Sequence, residues 1–207
     1  MTARILSLLI GYFFGCFLTA DLVAGKRIGK SASEVGEGNP GMANIMSNLG
    51  FIPGIITLAG DLGKTILAWL VTLILFRSHG WIVVLYAGLG CTLGHDFPFW
   101  RHFRGGKGVA TTSMAIVLYS FWMGLLANIV GMLLVFTTQY LCIAGPAIPI
   151  AFTLLMLLKG DPEAAALGAV LSALALRAHS KEFLAIRSGG TDKTDVLGAI
   201  RKKLQKN

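Results

Sequence analysis

A long internal stretch without charged residues limits the structures that this chain can adopt. No Asp, Glu, Lys or Arg occurs between Gly108 and Leu158. A further apolar, alanine-rich run extends over 162–176. Runs of this kind are typical of helices that cross a lipid bilayer, because a helix satisfies its backbone hydrogen bonds within itself. The sequence therefore predicts an all-α integral membrane protein.

Three earlier apolar runs and the composition agree with this class. Hydrophobic residues make up 55% of the 207-residue chain and charged residues only 14%, whereas soluble domains carry about 25% charged residues. The mean hydropathy is +0.71. The earlier runs cover about 4–24, 49–76 and 81–99. The first has no small-residue cleavage site followed by a polar start, so we expect it to remain as a span, broken near Asp21.

The positions of the basic residues predict how the spans are oriented. The net charge is +8, and most of the 18 Lys and Arg residues lie in three segments, 25–48, 101–107 and 177–207. Loops rich in Lys and Arg generally stay on the cytoplasmic side of a membrane. We therefore expect all three segments in the cytoplasm, which requires an even number of spans between Lys107 and Arg177.

The uncharged stretch should then contain three short spans. The run 162–176 supplies one span, and three spans within 108–158, each near the lower limit of about 17 residues, make the number even. Breaks near 124–131 and 145–149 would separate them. Two longer spans would place the basic tail outside the cell. We expect a single domain, 1–207, built as a bundle of seven transmembrane helices with cytoplasmic active-site loops, an outside N-terminus and a cytoplasmic C-terminus.

The stretch 94–112, GHDFPFWRHFRGGKGVATT, concentrates histidines, aromatic residues and cations around glycines, and we call residues 97–108 the basic glycine loop. A helix that begins near Val109 should direct its N-terminus at the same place. The loop is not a Walker A motif, since glycine follows Lys107 where that motif has Ser or Thr. Its glycines should leave backbone N–H groups open for an anion. The pattern indicates a phosphate site or, alternatively, a positive loop that contacts lipid headgroups.

A second glycine-rich segment, GEGNPGMAN at 36–44, lies within the first basic segment. The Gly-Asn-Pro-Gly sequence favours a tight turn, and glycine on both sides lets the backbone approach a ligand closely. The alternative is an ordinary loop before a helix, with Asn44 as its N-cap.

Asp61 and Lys64 are charged residues inside a predicted span. At positions i and i+3 they share one face of a helix, so they can form an ion pair. Charges within a span usually face the bundle interior or a wet cavity. The pair therefore indicates a structural ion pair, a polar pocket, or both.

The histidines do not indicate a metal site. His95 and His102 lack the i, i+4 spacing of a helical metal pair, and no cysteine completes a ligand set beside them. His179 follows the last predicted span and by itself indicates a solvated helix end. The chain also lacks a G-x-S-x-G nucleophile motif and a His-x4-Asp acyltransferase motif, which excludes two common catalytic patterns.

Taken together, these motifs resemble those of the seven-span bacterial acyl-phosphate:glycerol-3-phosphate acyltransferases. The family pattern has GSGNPGATN, D–LKG and GHxFPxFxxFKGGKGVAT, where this chain has GEGNPGMAN, DLGK and GHDFPFWRHFRGGKGVATT in the same order. The tail of the pattern, RHxxNIxRLxxGTExK, corresponds to His179 and to GTDK at 190–193. The resemblance covers nearly the whole chain, and its central stretch is very specific.

The resemblance implies a reaction, a location and a set of site residues. A fatty acyl group would pass from acyl-phosphate to the 1-hydroxyl of glycerol 3-phosphate, giving lysophosphatidic acid and phosphate at the cytoplasmic membrane of a bacterium. The resemblance implies membrane lipids as partners, and it implies no metal, cofactor or nucleic acid. Lys107 and His179 are the implied catalytic residues, supported by Asp61, Lys64 and His95. The implied phosphate-binding residues are Gly38, Asn39, Pro40, Gly41, Asn44, Arg104, Gly105, Gly106 and Gly108.

Three departures from the family pattern fall on positions that the family uses for substrate binding or catalysis. Glu37 replaces a serine and puts a negative charge where a phosphate is expected. Ser47 replaces an arginine, and Glu182 replaces an asparagine. Two alternatives therefore stay open: a catalytically impaired paralogue that binds a phosphorylated lipid or a partner, and a small anion transporter, which no inverted repeat supports.

Overall fold

A computed structural model describes residues 1–189. Residues 190–207, which include the GTDK motif at 190–193 and the end of the basic tail, lie outside the described residues. Within the described part, the regular elements are helices, as an all-α protein requires. The described chain divides into two units, and the boundary lies between Phe121 and Trp122.

The helices follow one another with short connections. The first unit contains α1 Thr2–Gly15, α2 Thr19–Ile28, α3 Met42–Leu49, α4 Phe51–Phe76, α5 Val83–Asp96 and α6 Val109–Tyr119. Helix α7, Phe121–Thr138, begins at the boundary, and the second unit continues with α8 Ala144–Lys159, α9 Pro162–Ala178 and α10 Ser180–Arg187. Helix α9 begins as its sequence favours, with Asp161 as N-cap accepting from the Ala164 amide at 3.1 Å and proline at its first position.

Four segments of the described chain are long and apolar enough to cross a membrane. They are Thr2–Ile28, Phe51–His79, Phe121–Thr138 and Leu141–Lys159. These segments present apolar side chains outward, and Ile74 and Leu158 are 67% and 86% exposed. Apolar surface on this scale is expected where a protein contacts lipid.

The uncharged stretch forms α6, α7 and α8, but its breaks lie at other residues than expected. Helices α6 and α7 are separated at Ser120, whose backbone is extended (φ −143°, ψ 98°). Helices α7 and α8 are separated by residues 139–143. The breaks expected near 124–131 and 145–149 are wrong, because those residues lie inside α7 and α8.

Close packing, rather than helix termination, accounts for two of the glycines in these helices. A Cβ atom on Gly131 would overlap the Ile148 side chain, and one on Gly145 would overlap the imidazole of His179. Gly131 and Gly145 thus leave room for neighbouring side chains while the helix continues through them.

Helices α1 and α5 pack backbone against backbone through glycines. A Cβ on Gly11 would overlap the carbonyl oxygen of Ala87, and one on Gly90 would overlap that of Leu8. Gly15 and Gly94 repeat the arrangement one turn along each helix, so both helices carry Gly-x3-Gly spacing. Small residues with this spacing let membrane helices approach closely. The packing fixes α5, which ends beside the basic glycine loop, against α1.

The first span is interrupted at residues 16–18, between α1 and α2, and not at Asp21, which lies within α2. The interruption leaves backbone carbonyls without helical partners. The Trp100 indole N–H donates to the Cys16 carbonyl at 2.8 Å, and Lys64 Nζ donates to the Phe17 carbonyl at 2.9 Å. Side chains from α4 and from the basic glycine loop therefore complete the first span.

Candidate functional site

The basic glycine loop folds back onto the C-terminal end of α5. The Gly105 amide donates to the Asp96 carbonyl, and the Gly106 amide donates to the His95 carbonyl, each at 2.9 Å. Carbonyls at the end of a helix have no partner within it. The expectation that Gly105 and Gly106 leave open N–H groups for an anion is therefore wrong, because these amides cap α5.

Both positions require glycine because the loop lies directly against His95. A Cβ on Gly105 would overlap the His95 carbonyl oxygen. A Cβ on Gly106 would overlap the His95 imidazole at Nε2. The loop backbone at Gly105 and Gly106 thus packs directly on His95.

The middle of the loop has a strained backbone. His102 and Phe103 have positive φ angles, 50° and 58°. Such conformations cost about 1–3 kcal/mol each for residues other than glycine and persist where the surroundings hold them. Here the Pro98 carbonyl accepts from the amides of Arg101 and Phe103, each at 3.1 Å. Strain of this kind is concentrated at binding and catalytic loops.

Helix α6 begins at Val109, as the sequence predicts, and Gly108 is its N-cap with φ +66°. A Cβ on Gly108 would lie 2.7 Å from Thr92 Cγ2 and 2.8 Å from Asp96 Oδ1. The first amides of a helix have no partner within the helix and attract negative charge. Lys107 is half-buried and precedes this N-terminus directly, whereas Arg104 is exposed. Lys107, Gly108 and the start of α6 are therefore the part of the loop suited to a phosphate.

Asp61, Lys64 and His95 form a buried network beneath the loop. Lys64 Nζ lies 2.8 Å from Asp61 Oδ1 and 2.8 Å from His95 Nδ1, so the predicted ion pair is confirmed. The side chains are between 3% and 5% exposed. Charges buried to this degree are stable only when paired and hydrogen-bonded. The sequence did not place His95 with this pair, because it lies on another helix.

Asn44 organises the 36–44 turn. The N-cap of α3 is Gly41. The alternative prediction of an ordinary loop with Asn44 as the N-cap is therefore wrong in its choice of cap. Its Nδ2 donates to the carbonyls of Val35 and Asn39 at 2.8 and 2.9 Å. Its Oδ1 accepts from the Glu37 amide and from Asn48 Nδ2, each at 3.0 Å. Both donors and both acceptor positions of the Asn44 amide are thus used within the protein. Asn44 therefore shapes the turn, and the expectation that it binds phosphate directly is corrected.

The other residues of this turn also bond within it. The Gly38 amide, at φ +71°, donates to the Val35 carbonyl at 2.9 Å. The Gly41 amide donates to the Asn39 carbonyl at 2.8 Å. Pro40 is buried and Asn39 half-buried, whereas the side chains of Glu37 and Ser47 are exposed.

His179 belongs to the second unit and is buried at the end of α9, with 4% of its surface exposed. The interpretation as a solvated helix end is therefore wrong. Its Nδ1 lies 2.9 Å from the Ala175 carbonyl, which can only accept, so Nδ1 carries a proton. Glu182 follows in α10 and is half-buried.

Thr92 is a site residue that the sequence interpretation missed. Its hydroxyl lies 3.2 Å from those of Thr111 and Thr112, and the Thr111 hydroxyl donates to the Gly108 carbonyl at 3.0 Å. These buried contacts hold the first turn of α6 against α5. In the sequence, Thr92 is a polar residue inside a predicted span and lies one helical turn before His95, which could have indicated a role beside the loop.

Comparisons with known proteins agree with the sequence motifs. A family model described as glycerol-3-phosphate acyltransferase matches residues 5–189. Glycerol-3-phosphate acyltransferase 1 of Lactobacillus johnsonii is 35% identical over 198 residues, 96% of each chain. Its counterpart of Lactobacillus acidophilus is 36% identical over 205 residues, 98% of this chain and 97% of that one.

Two solved structures share the fold. The glycerol 3-phosphate form of PlsY (YgiH), described as an integral membrane glycerol 3-phosphate acyltransferase, superposes with a TM-score of 0.83 at 25% identity, covering 95% of this chain and 98% of that chain. The lysophosphatidic acid form superposes with a TM-score of 0.78 at 23% identity, covering 92% and 94%, and supports the fold alone.

Proposed function

The chain belongs to the glycerol-3-phosphate acyltransferase family, and from this we propose that it transfers a fatty acyl group from acyl-phosphate to glycerol 3-phosphate. The products are lysophosphatidic acid and inorganic phosphate. This is the first acylation step of phospholipid synthesis, and it requires no metal and no coenzyme A.

One observation carries the proposal: Lys107 directly precedes the N-terminus of α6, on a loop that is held rigidly against α5. In the reaction, the bond between the acyl carbon and the phosphate oxygen breaks, and a bond to the glycerol oxygen forms. Negative charge develops on the leaving phosphate. A lysine beside a helix N-terminus stabilises that charge most strongly when the two are positioned in advance.

We assign the general base to His179. The 1-hydroxyl must lose its proton as the new ester bond forms. The Ala175 carbonyl orients the imidazole through Nδ1, and an imidazole in its neutral form can take up a proton at its second nitrogen.

We assign Asp61, Lys64 and His95 a supporting role. Lys64 holds the His95 imidazole in place, and that imidazole lies against Gly106, one residue before Lys107. The network therefore determines the position of the loop without contacting the substrates.

We propose seven membrane spans with the N-terminus outside and the C-terminus in the cytoplasm of a bacterium. Support comes from the basic segments that precede and follow the uncharged stretch. Within that stretch α7 and α8 belong to segments long enough to span, whereas α6 has 11 residues and is shorter than a full span requires. In the proposed topology, acyl-phosphate would bind at the cytoplasmic surface with its apolar chain in the bilayer.

The departures at Glu37 and Ser47 do not favour an impaired paralogue. Glu37 and Ser47 are exposed, so their side chains retain contact with water. Lys107 and the glycines around it are retained in full. An anion transporter explains the specific central motif poorly.

The proposed reaction gives a direct test. Purified protein in lipid nanodiscs should release phosphate from acyl-phosphate, above spontaneous hydrolysis, only when glycerol 3-phosphate is added. Lys107→Ala should lower this release by at least about 10²-fold, because an electrostatic contact to the leaving phosphate is lost. Labelled glycerol 3-phosphate should appear in lysophosphatidic acid.

Lys26→Ala is the matched control, since Lys26 is an exposed lysine at the end of α2. It should retain wild-type turnover. No release by wild-type protein that depends on glycerol 3-phosphate would refute the proposed enzyme, and equal release by Lys107→Ala would refute the role of that lysine.

A second prediction concerns the support of the loop. Gly106→Ala should lower turnover by about 10²-fold, because the new methyl group displaces the loop from the His95 imidazole and misplaces Lys107. Gly25→Ala, with no atom within 4 Å of its Cβ, is the control and should be fully active. Turnover of Gly106→Ala within twofold of wild type would show that the loop tolerates displacement.

A further inference from the structure

Asp21, Ser31, Ala32 and Arg101 form a set of contacts that we call the polar clasp. Asp21 Oδ1 accepts from the Ser31 hydroxyl at 3.0 Å and from the Ala32 amide at 2.9 Å. Asp21 Oδ2 lies 3.2 Å from Arg101 Nη1. Arg101 Nη2 donates to the Ser31 hydroxyl at 3.1 Å. Asp21, Ser31 and Arg101 each make more than one contact within the clasp.

The clasp is largely shielded from solvent. The side chains of Asp21 and Arg101 are 17% and 12% exposed. The Arg101 guanidinium also lies 5.8 Å from the centroid of the Trp100 ring, and that ring is anchored to the Cys16 carbonyl. Hydrogen-bonded charges with little exposure are screened less by salt than pairs on an open surface.

The clasp joins two segments that are distant in sequence. Arg101 belongs to the basic glycine loop, whereas Ser31 begins the segment that leads to the 36–44 turn. Ser31 caps the short helical turn Ala32–Glu34, and its amide donates to Glu34 Oε2 at 2.9 Å. Val35, the next residue, accepts from Asn44. A continuous chain of bonds thus runs from the basic glycine loop to the 36–44 turn.

The contacts argue against direct substrate binding by Arg101. Its guanidinium forms an ion pair with Asp21 through Nη1 and donates a hydrogen bond to Ser31 through Nη2. Arg101 also falls at a position that the family pattern leaves open, as the first x of the pair before the third phenylalanine.

We propose that Asp21 and Arg101 are positioning residues of the transfer reaction. Resting on the proposed function, the clasp holds the 36–44 turn and the basic glycine loop at the separation at which two phosphate-bearing substrates react. Neither residue contacts a substrate. A shift of the order of 1 Å between two such segments costs about 10²-fold in rate.

The kinetic test uses Asp21→Asn, Arg101→Met and Arg101→Lys, with Arg27→Met as the control because Arg27 is exposed at the end of α2. The first two should lower kcat by about 10- to 100-fold with small changes in the two KM values. Arg101→Lys, which can retain one of the bonds, should recover part of the rate. The double variant Asp21→Asn with Arg101→Met should be no slower than the slower single variant, because both remove the same contact.

A phosphate ligand would behave differently. If Arg101 bound a substrate directly, Arg101→Met would raise one KM sharply, Asp21→Asn would stay near wild type, and the proposal would be overturned. If Arg101→Met does not fold, Asp21→Asn decides, since its Oδ1 still accepts from Ser31 and Ala32. A wild-type kcat in that variant would overturn the proposal.

Limited digestion with trypsin tests the clasp without reference to activity. Release of the two segments should increase cleavage after Lys30 and after Arg104 at least fivefold in Asp21→Asn relative to wild type and to Arg27→Met. Cleavage and kcat both unchanged in Asp21→Asn would overturn the clasp. A wild-type protein without turnover would instead refute the proposed function, while the digestion still decides on the clasp.

Discussion

Gly90→Ala is expected to destabilise this protein strongly, and more than Gly25→Ala, Gly63→Ala or Gly106→Ala. Its new Cβ would lie 2.8 Å from the carbonyl carbon of Leu8 and 2.9 Å from the amide nitrogen of Tyr12. Both atoms belong to the backbone of α1, so no side chain can rotate away and the two helices must separate. Overpacking of a core costs about 1–3 kcal/mol even when side chains can adjust, and here we expect the upper end or more.

Thermal unfolding in detergent, followed by tryptophan fluorescence, measures the effect. Gly90→Ala should lower the melting temperature by more than about 5 °C. The control is Gly63→Ala, the same substitution in another apolar helix, α4, where no atom lies within 4 Å of the new Cβ. Because alanine favours a helix over glycine by about 1 kcal/mol, this control should unfold at the same temperature or higher. Equal melting temperatures for both variants would contradict the close packing of α1 and α5.

Lys64→Met is expected to have the second large effect. It leaves the Asp61 carboxylate buried without its partner and removes the donor to the Phe17 carbonyl and to His95 Nδ1. Breaking a buried ion pair by removing one member costs about 3–5 kcal/mol, because the remaining charge is uncompensated. Unfolding of the purified variant by heat should therefore occur well below the wild-type temperature.

The double variant Asp61→Leu with Lys64→Met separates charge from packing. Replacing both members of a buried pair by apolar residues is often neutral or stabilising, so the double variant should be more stable than Lys64→Met. Its turnover should stay low, because His95 has still lost the lysine that fixes the imidazole. If Lys64→Met alone is as stable as wild type, Asp61 is not left as an unpaired charge, and the prediction is wrong.

Local spacing was sufficient to predict part of the site. The i, i+3 separation placed Asp61 and Lys64 on one face of a helix, and the structure confirms the pair. A glycine followed by an apolar run predicted the start of α6 at Val109. Both features depend only on residues within one helical turn.

Features that depend on distant backbone atoms were not predictable. A glycine in the sequence indicates conformational freedom, but it does not show that the amides of Gly105 and Gly106 meet the carbonyls at the end of α5. The sequence suggested Asn44 as a possible N-cap. Its actual partners, the Val35 and Asn39 carbonyls, could not be predicted because only the folded turn brings them within reach. His95 joins the Asp61–Lys64 pair across 31 residues of sequence from Lys64.

The interruption between α1 and α2 constrains the order in which the protein is assembled during synthesis. The carbonyls of Cys16 and Phe17 accept from Trp100 and Lys64, which leave the ribosome many residues later. A buried carbonyl without a hydrogen bond costs free energy, so the interruption reaches its final hydrogen-bonded state only once these donors are in place. Those donors lie on α4 and on the loop after α5, and both must be synthesised first. The first segment to be translated is thus among the last to reach its final conformation.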